Sequence, residues 1–115
     1  MKIQDCSKQI EVPNVKRVSE LGKIRGLMFC RREKCPALLF EFKKPTKLKI
    51  HSCFVGFSFI ALWLDNKNNI LEKKVVRPWK ISISPRKPFN KLLEIPINTK
   101  YCSLIEDLSS GKEKI

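Results

Sequence analysis

An aromatic apolar run from Cys53 to Leu64 restricts the possible folds of this chain more than any other feature. The run breaks at the polar segment 65–69 and resumes at Ile70, which is the pattern of a β-hairpin. Apolar residues occupy both alternating sets of positions: Phe57, Phe59, Ala61 and Trp63 in one set, and Ile60, Leu62 and Leu64 in the other. Because side chains alternate between the two faces of a strand, protein should cover both faces of this one.

Other short apolar segments predict further strands around this hairpin. Residues 37–42 and 91–96 have the pattern of buried strands, and residues 47–51 alternate as a half-exposed strand with Leu48 directed inward. Residues 8–18 alternate weakly around a proline, which predicts an edge strand or two short strands. We expect residues 43–45 to turn the chain between two of these strands.

Helix signals are few. Ser19 precedes a helical pattern of about two turns that ends at Gly26. A second, shorter helical turn could open at Asn98 and carry Tyr101 and Leu104. The sequence therefore predicts a mainly β fold of the α+β type, with a small, strongly curved antiparallel sheet or a barrel-like sheet and one short helix.

The chain length suits one domain. At 115 residues it can bury a sizeable hydrophobic core without help from disulfides or metal ions, so we expect residues 1–115 to form a single domain. Polar residues dominate positions 109–115, which predicts a frayed C-terminal tail.

The chain is strongly basic. It carries 24 Lys and Arg against 11 Asp and Glu, a net charge of +13, and this field attracts phosphates and acidic partners. Eighteen of the cations are lysines, which favours a solvated surface over bidentate recognition of phosphates or bases. With a solvated surface or with bidentate recognition, an anionic partner stays an open alternative.

Four basic segments could instead form a nucleic-acid site if they converged on one face. That site would need Trp79 or Phe89 nearby to stack bases. Charged segments in surface loops usually only solvate the chain, so we treat nonspecific nucleic-acid binding as the alternative. The four segments are residues 31–34, 43–44, 73–77 and 86–87.

Cysteine and histidine offer one candidate metal site. Cys30, Cys35, His51 and Cys53 are all zinc-ligand types, but their spacing does not form two paired knuckles. We expect no metal and no other cofactor, and a disulfide between Cys30 and Cys35 is an alternative. His51 is the chain's one histidine and lies in a lysine-flanked segment, so a Cys–His catalytic pair is not favoured and the sequence leans against an enzyme.

The sequence also predicts the cellular compartment of the protein. The first six residues lack the apolar stretch of a secretory signal, and the longest apolar run is shorter than the roughly twenty residues that a membrane helix needs. The five cysteines are an odd number in mostly apolar surroundings, which suits reduced thiols. We therefore expect a cytosolic protein without a membrane segment.

The order of four motifs resembles the family catalogued as domain of unknown function 192. These motifs are residues 25–29 (Arg-Gly-Leu-Met-Phe), residues 37–40 (Ala-Leu-Leu-Phe), the aromatic hairpin and residues 93–96 (Leu-Glu-Ile-Pro). The chain is most similar to the archaeal branch through Arg77-Pro78-Trp79, and it departs from the family at Ile60, where an aspartate is common. The resemblance covers residues 15–108 and implies a small β-rich fold without an established activity.

Three residues are candidates for ligand binding: Arg25, Arg77 and Trp79. Arg25 beside Gly26 could cap helix carbonyls or pair with Glu94, which is a structural role, or could hold an anion at the rim of a pocket. The sequence favours a binding or accessory module without catalytic activity. A nonspecific nucleic-acid binder is the alternative, and an enzyme or binder for a small anionic ligand is the third possibility.

Overall fold

The structure, a computed structural model, describes residues 1–5, 8–18, 31–49, 55–80 and 82–113. Within these residues strands predominate, so the fold is mainly β with one short helix, as predicted. The strands are β1 (Lys2–Asp5), β2 (Lys8–Glu11), β3 (Val15–Arg17), β4 (Ala37–Thr46), β5 (Phe59–Leu64), β6 (Ile70–Val76) and β7 (Phe89–Pro96). A 3-10 turn (Thr99–Tyr101) leads into helix α1 (Cys102–Glu113). The helix predicted for residues 20–26 lies outside the described residues.

The main sheet has five strands in the order β3-β4-β7-β5-β6. Its neighbouring strands are antiparallel except β3 and β4, which run parallel. The barrel-like alternative is wrong for the described strands, because β3 and β6 lie at opposite edges of the sheet and do not pair with each other. β3 has only three residues, which is too short an edge to close a barrel.

Strand β5 confirms the prediction of a strand covered on both faces. All six of its residues are buried, and it pairs with β6 on one side and β7 on the other. Asp65 makes the break that follows it, because one carboxylate oxygen accepts hydrogen bonds from the backbone N–H groups of Lys67 (2.8 Å) and Asn69 (2.9 Å). This Asx-type turn returns the chain as β6.

The two faces of the sheet are covered by different hydrophobic clusters. One face, here the helix-side cluster, packs against α1 and the β1–β2 hairpin, and it is built from Ile3, Ile10, Val12, Ala37, Leu39, Ile60, Leu62, Leu64, Leu93, Ile95, Tyr101, Leu104 and Leu108. The other face, here the aromatic cluster, contains Cys35, Leu38, Phe40, Val55, Phe57, Phe59, Ala61, Trp63, Val76, Phe89 and Leu92.

The C-terminal helix begins where the sequence predicts a helical turn. The Asn98 side chain accepts a hydrogen bond from the Tyr101 backbone N–H, and Leu104 and Leu108, one turn apart, bury against the helix-side cluster. The helix continues over residues 109–113, within the segment predicted to be a frayed tail. The buried leucines anchor the helix, so polar residues after them can extend it. No helix in the described part of the chain is long and apolar enough to cross a membrane.

Strand β4 differs from its prediction at its C-terminal end. The predicted turn at residues 43–45 is wrong, because β4 continues to Thr46 with an irregular register after Glu41. The chain turns afterwards, where the Thr46 hydroxyl accepts a hydrogen bond from the backbone N–H of Leu48 (3.2 Å). Leu48 is therefore exposed in a loop instead of directed inward from a strand.

Candidate functional site

The candidate site lies where β6 ends. Val76 is buried in the aromatic cluster and pairs with Phe59, and the chain then leaves the sheet at Arg77. Pro78 favours this exit because it has no backbone N–H to continue the ladder. Arg77 and Lys80 are exposed on the segment that follows.

Trp79 is exposed on this segment in an unusual backbone conformation. Its φ angle is 63°, in the left-handed region, which costs a residue other than glycine on the order of 1–2 kcal/mol. The side chain is 59% exposed, whereas Trp63 is fully buried. The fold thus holds a large aromatic side chain toward solvent at a backbone position that disfavours it, and such outliers are concentrated at functional sites.

A surface cavity of about 320 Å³ lies at the same end of β6. Valine and isoleucine side chains supply an apolar surface, and three cationic residues line it from Lys74 to Lys80. Its lining residues are Lys74, Val75, Val76, Arg77, Lys80 and Ile83. The cavity is therefore suited to a ligand that combines an apolar part with negative charge.

Lys74 is held in place by acceptors of the protein. Its amine lies 3.3 Å from a carboxylate oxygen of Glu72, donates to the Ser84 carbonyl (3.2 Å) and lies 5.8 Å from the centre of the Trp63 ring. These contacts compensate part of its charge, so Lys74 orders the cavity wall more than it supplies an anion contact.

The neighbouring lysine faces the other side of the sheet. Lys73 donates to Asp5 (3.1 Å) and to the Leu108 carbonyl in α1 (3.0 Å). Successive residues of a strand point to opposite faces, so the pair Lys73-Lys74 is divided between them. The predicted basic segment 73–77 contributes Lys74 and Arg77 to the site but not Lys73.

The other basic segments are divided between the two ends of the sheet. The turn at residues 31–34 precedes β4 at the same end as Arg77, and the Arg32 guanidinium donates to the Ile97 carbonyl just after β7 (2.6 Å). Lys43 and Lys44 lie in the far half of β4, toward the opposite end. The Arg86 backbone N–H donates to Glu72 in the middle of β6 (2.8 Å). The four segments therefore do not converge at one end of the sheet.

Of the three predicted ligand-binding residues, the structure places Arg77 and Trp79 on one segment, and Arg25 lies outside the described residues. Phe89, the other candidate for base stacking, is fully buried and cannot stack on a ligand. Sequence reasoning missed Lys80 and Ile83, although Lys80 directly follows Trp79 and its charge was visible there.

The candidate zinc ligands are only partly described. Cys35 is buried and disulfide-bonded, so the expectation of reduced thiols does not extend to this position, where the sequence leaves a disulfide as an alternative. Cys30, His51 and Cys53 lie outside the described residues, so the absence of zinc and the pairing of Cys30 with Cys35 stay predictions. No three potential ligands cluster within the part of the chain that the structure describes.

Glu94 is a buried acid in the central strand. It lies opposite Leu38 of β4 and Ala61 of β5, on the face of the aromatic cluster, and is 5% exposed. Burial among apolar neighbours raises the pKa of its carboxyl from 4.5 to about 8, because desolvation penalises the charged form. Its predicted partner Arg25 lies outside the described residues.

Comparison with known proteins shows a shared fold. No family model matches the chain, and no curated protein matches it. A proposed transcription regulator from Sinorhizobium meliloti 1021 is similar with a TM-score of 0.69 and 20% identity, over 83% of this chain and 77% of that one. A protein of unknown function from Novosphingobium aromaticivorans DSM 12444 has a TM-score of 0.69 and 12% identity, over 90% of this chain and 75% of that one. At these identities the likeness shows the fold alone.

Proposed function

We propose that this protein is a binding module without catalytic activity that engages an anionic partner through the end of β6. One observation carries the proposal: Arg77 and Lys80 flank an exposed Trp79 beside a cavity with an apolar surface. Cations on such a surface attract negative charge, and the aromatic ring adds apolar contact area at low cost in side-chain entropy.

The residues at this site support binding over catalysis. The cavity is lined by lysine, arginine, valine and isoleucine, and these groups supply positive charge and apolar contact but no paired acid and base. The third possibility, a small-anion site that depends on Arg25, stays a prediction because Arg25 lies outside the described residues.

We also propose membership in the domain of unknown function 192 family and a cytosolic location. The motifs at residues 25–29, 37–40 and 93–96 support the family, and Arg77-Pro78-Trp79 supports its archaeal branch.

A polyanion tests the proposed site without assuming a particular partner. Binding of a fluorescent heparin fragment should weaken about tenfold or more at low salt when Arg77 and Lys80 are both replaced by alanine. The matched control is Lys43→Ala with Lys44→Ala, which removes the same charge from the opposite half of β4. We expect the control to bind within about twofold of the wild type, since site contacts act locally whereas net charge acts everywhere. Equal weakening by both double variants would overturn the proposal.

A further inference from the structure

We infer that the anionic partner of the β6 site is single-stranded nucleic acid, with a base stacked on Trp79 and phosphates held by Arg77 and Lys80. This inference rests on the proposed function and narrows its partner. It uses three features of the site: the exposed aromatic ring, the distance between the two flanking cations, and the mixed lining of the cavity.

The exposed ring supplies a stacking surface. Trp79 is more than half exposed, and its left-handed backbone fixes where the ring leaves the chain. Bases that are not paired stack on aromatic side chains regardless of sequence. A duplex keeps its bases stacked within itself, so a ring on an open surface favours a single strand.

The flanking cations match the spacing of a nucleic-acid backbone. Arg77 and Lys80 are the first and fourth residues of a turn at residues 78–79, so their Cα atoms lie within about 7 Å of each other. Successive phosphates of one strand advance about 3.4 Å along a stacked helix, so this distance spans about two nucleotides. A guanidinium can also stack on a base, which gives Arg77 a second way to contact the strand.

The cavity accommodates the next nucleotide. Its volume of about 320 Å³ is at the small end of ligand pockets, and Val75 and Ile83 provide apolar contact beside Lys74. A nucleotide carries both a flat apolar base and a phosphate, and so matches this lining. An acidic peptide would complement the positive charge of the site, but its carboxylates would not match the apolar wall or the exposed face of the Trp79 ring.

The test compares two oligomers that differ only in their bases. We would measure the binding of a labelled twelve-nucleotide oligothymidine and of an abasic oligomer with the same number of phosphates, by fluorescence anisotropy at several salt concentrations. The wild type should bind oligothymidine about 5- to 100-fold more tightly than the abasic oligomer, as expected for one stacking contact. Trp79→Ala should abolish this preference, and Trp79→Phe should restore most of it.

Salt dependence separates the cations from the ring. Replacing Arg77 and Lys80 together by alanine should lower the slope of log affinity against log salt by about 1.4, or 0.7 for each lost phosphate contact. Trp79→Ala should leave the slope unchanged, because it removes no charge. Lys43→Ala with Lys44→Ala, which removes the same charge elsewhere, should change neither the slope nor the preference for bases.

Tryptophan fluorescence gives an independent measure. Trp63 is buried, so quenching of the emission by oligothymidine should come from Trp79 and disappear in Trp79→Phe. If the wild type bound the abasic oligomer or poly-glutamate as tightly as oligothymidine, the nucleic-acid inference would be overturned, but the proposal of an anionic site would stand. Tighter binding of a duplex than of oligothymidine would overturn it as well. If replacing Arg77 and Lys80 by alanine changed the binding of neither heparin nor the oligomers, the proposed function itself would be overturned.

Discussion

The two tryptophans of this chain have opposite environments and opposite roles. Trp63 is fully buried in the aromatic cluster, opposite Glu72 on β6 and Leu92 on β7, whereas Trp79 is exposed beside the cavity. Among the described residues the Trp63 indole N–H has no hydrogen-bond partner, so we expect this residue to contribute through its volume and not through its polar atom.

Replacing Trp63 should show how much that volume contributes. Trp63→Ala should lower the free energy of unfolding by about 3–5 kcal/mol, because it leaves a large cavity between β5 and its neighbours. Trp63→Phe should cost much less, since it keeps an aromatic ring and removes an unsatisfied N–H. Urea unfolding of the three proteins measures both values. A negligible loss in Trp63→Ala would contradict the burial of this side chain.

Glu94 should make stability depend on pH with the opposite sign to an ordinary paired carboxylate. Its folded pKa of about 8 exceeds the ordinary value of 4.5, so between these values the folded state binds more protons than the unfolded state. Its contribution is fully present below about pH 4.5 and is lost as the pH rises to about 8. The expected loss is on the order of a few kcal/mol.

Glu94→Gln separates this effect from all other titrations. The variant should lose less stability than the wild type when urea unfolding is measured from pH 5 to pH 9, since a neutral amide has no proton to release. Glu106→Gln, an exposed acid on α1, is the control and should follow the wild type. Parallel pH curves for the wild type and Glu94→Gln would show that Glu94 is not a buried neutral acid.

At the scale of elements, one buried asparagine joins the start of α1 to the chain that enters β4. The Asn98 amide donates to the carbonyls of Arg32 (2.7 Å) and Cys35 (3.2 Å), and its oxygen accepts from the Tyr101 backbone N–H (3.3 Å). The Tyr101 hydroxyl reaches the same region, because it accepts from the backbone N–H of Ala37 (2.7 Å). Helix and sheet are therefore joined by polar contacts as well as by the helix-side cluster.

Two substitutions at Asn98 distinguish its roles. Asn98→Ala should cost about 1–3 kcal/mol, from the lost helix cap and the carbonyls left without a donor. Asn98→Asp keeps the acceptor for Tyr101 but places a carboxylate against two carbonyls, so it should cost at least as much. Thermal unfolding monitored by circular dichroism measures both, with the exposed Asn66→Ala as a neutral control. Full stability of Asn98→Asp would show that only the cap matters.

The elements that the sequence predicts are those with a local signal. The two-sided run of β5, the turn begun by Asp65 and the helical start at Asn98 each follow from residues adjacent in the chain. The end of β4 was misjudged because proline is tolerated where a register becomes irregular, and the proline at position 45 lies within that stretch. Strand β1 was missed because its four residues carry little apolar pattern of their own.

At the scale of the whole molecule, long-range contacts decide what local signals cannot. The parallel pairing of β3 with β4 and the positions of β3 and β6 at the sheet edges depend on which strands meet, and no short segment encodes that choice. Only part of the candidate site is predictable from the sequence, for a similar reason. Arg77 and Trp79 stand out by residue type, but the left-handed backbone of Trp79 and the cavity near Lys80 arise only in the assembled sheet.

The central position of β7 determines when this protein can fold during synthesis. β4 and β5 each need β7 as a neighbour, yet β7 is the last strand to leave the ribosome. Until residue 96 is outside the exit tunnel, the growing chain carries one edge of β4 and one edge of β5 without the neighbour they have in the fold, although the β3–β4 pair and the β5–β6 hairpin can already form. The interval between the emergence of β6 and that of β7 is therefore the period in which these strand edges most need protection from aggregation.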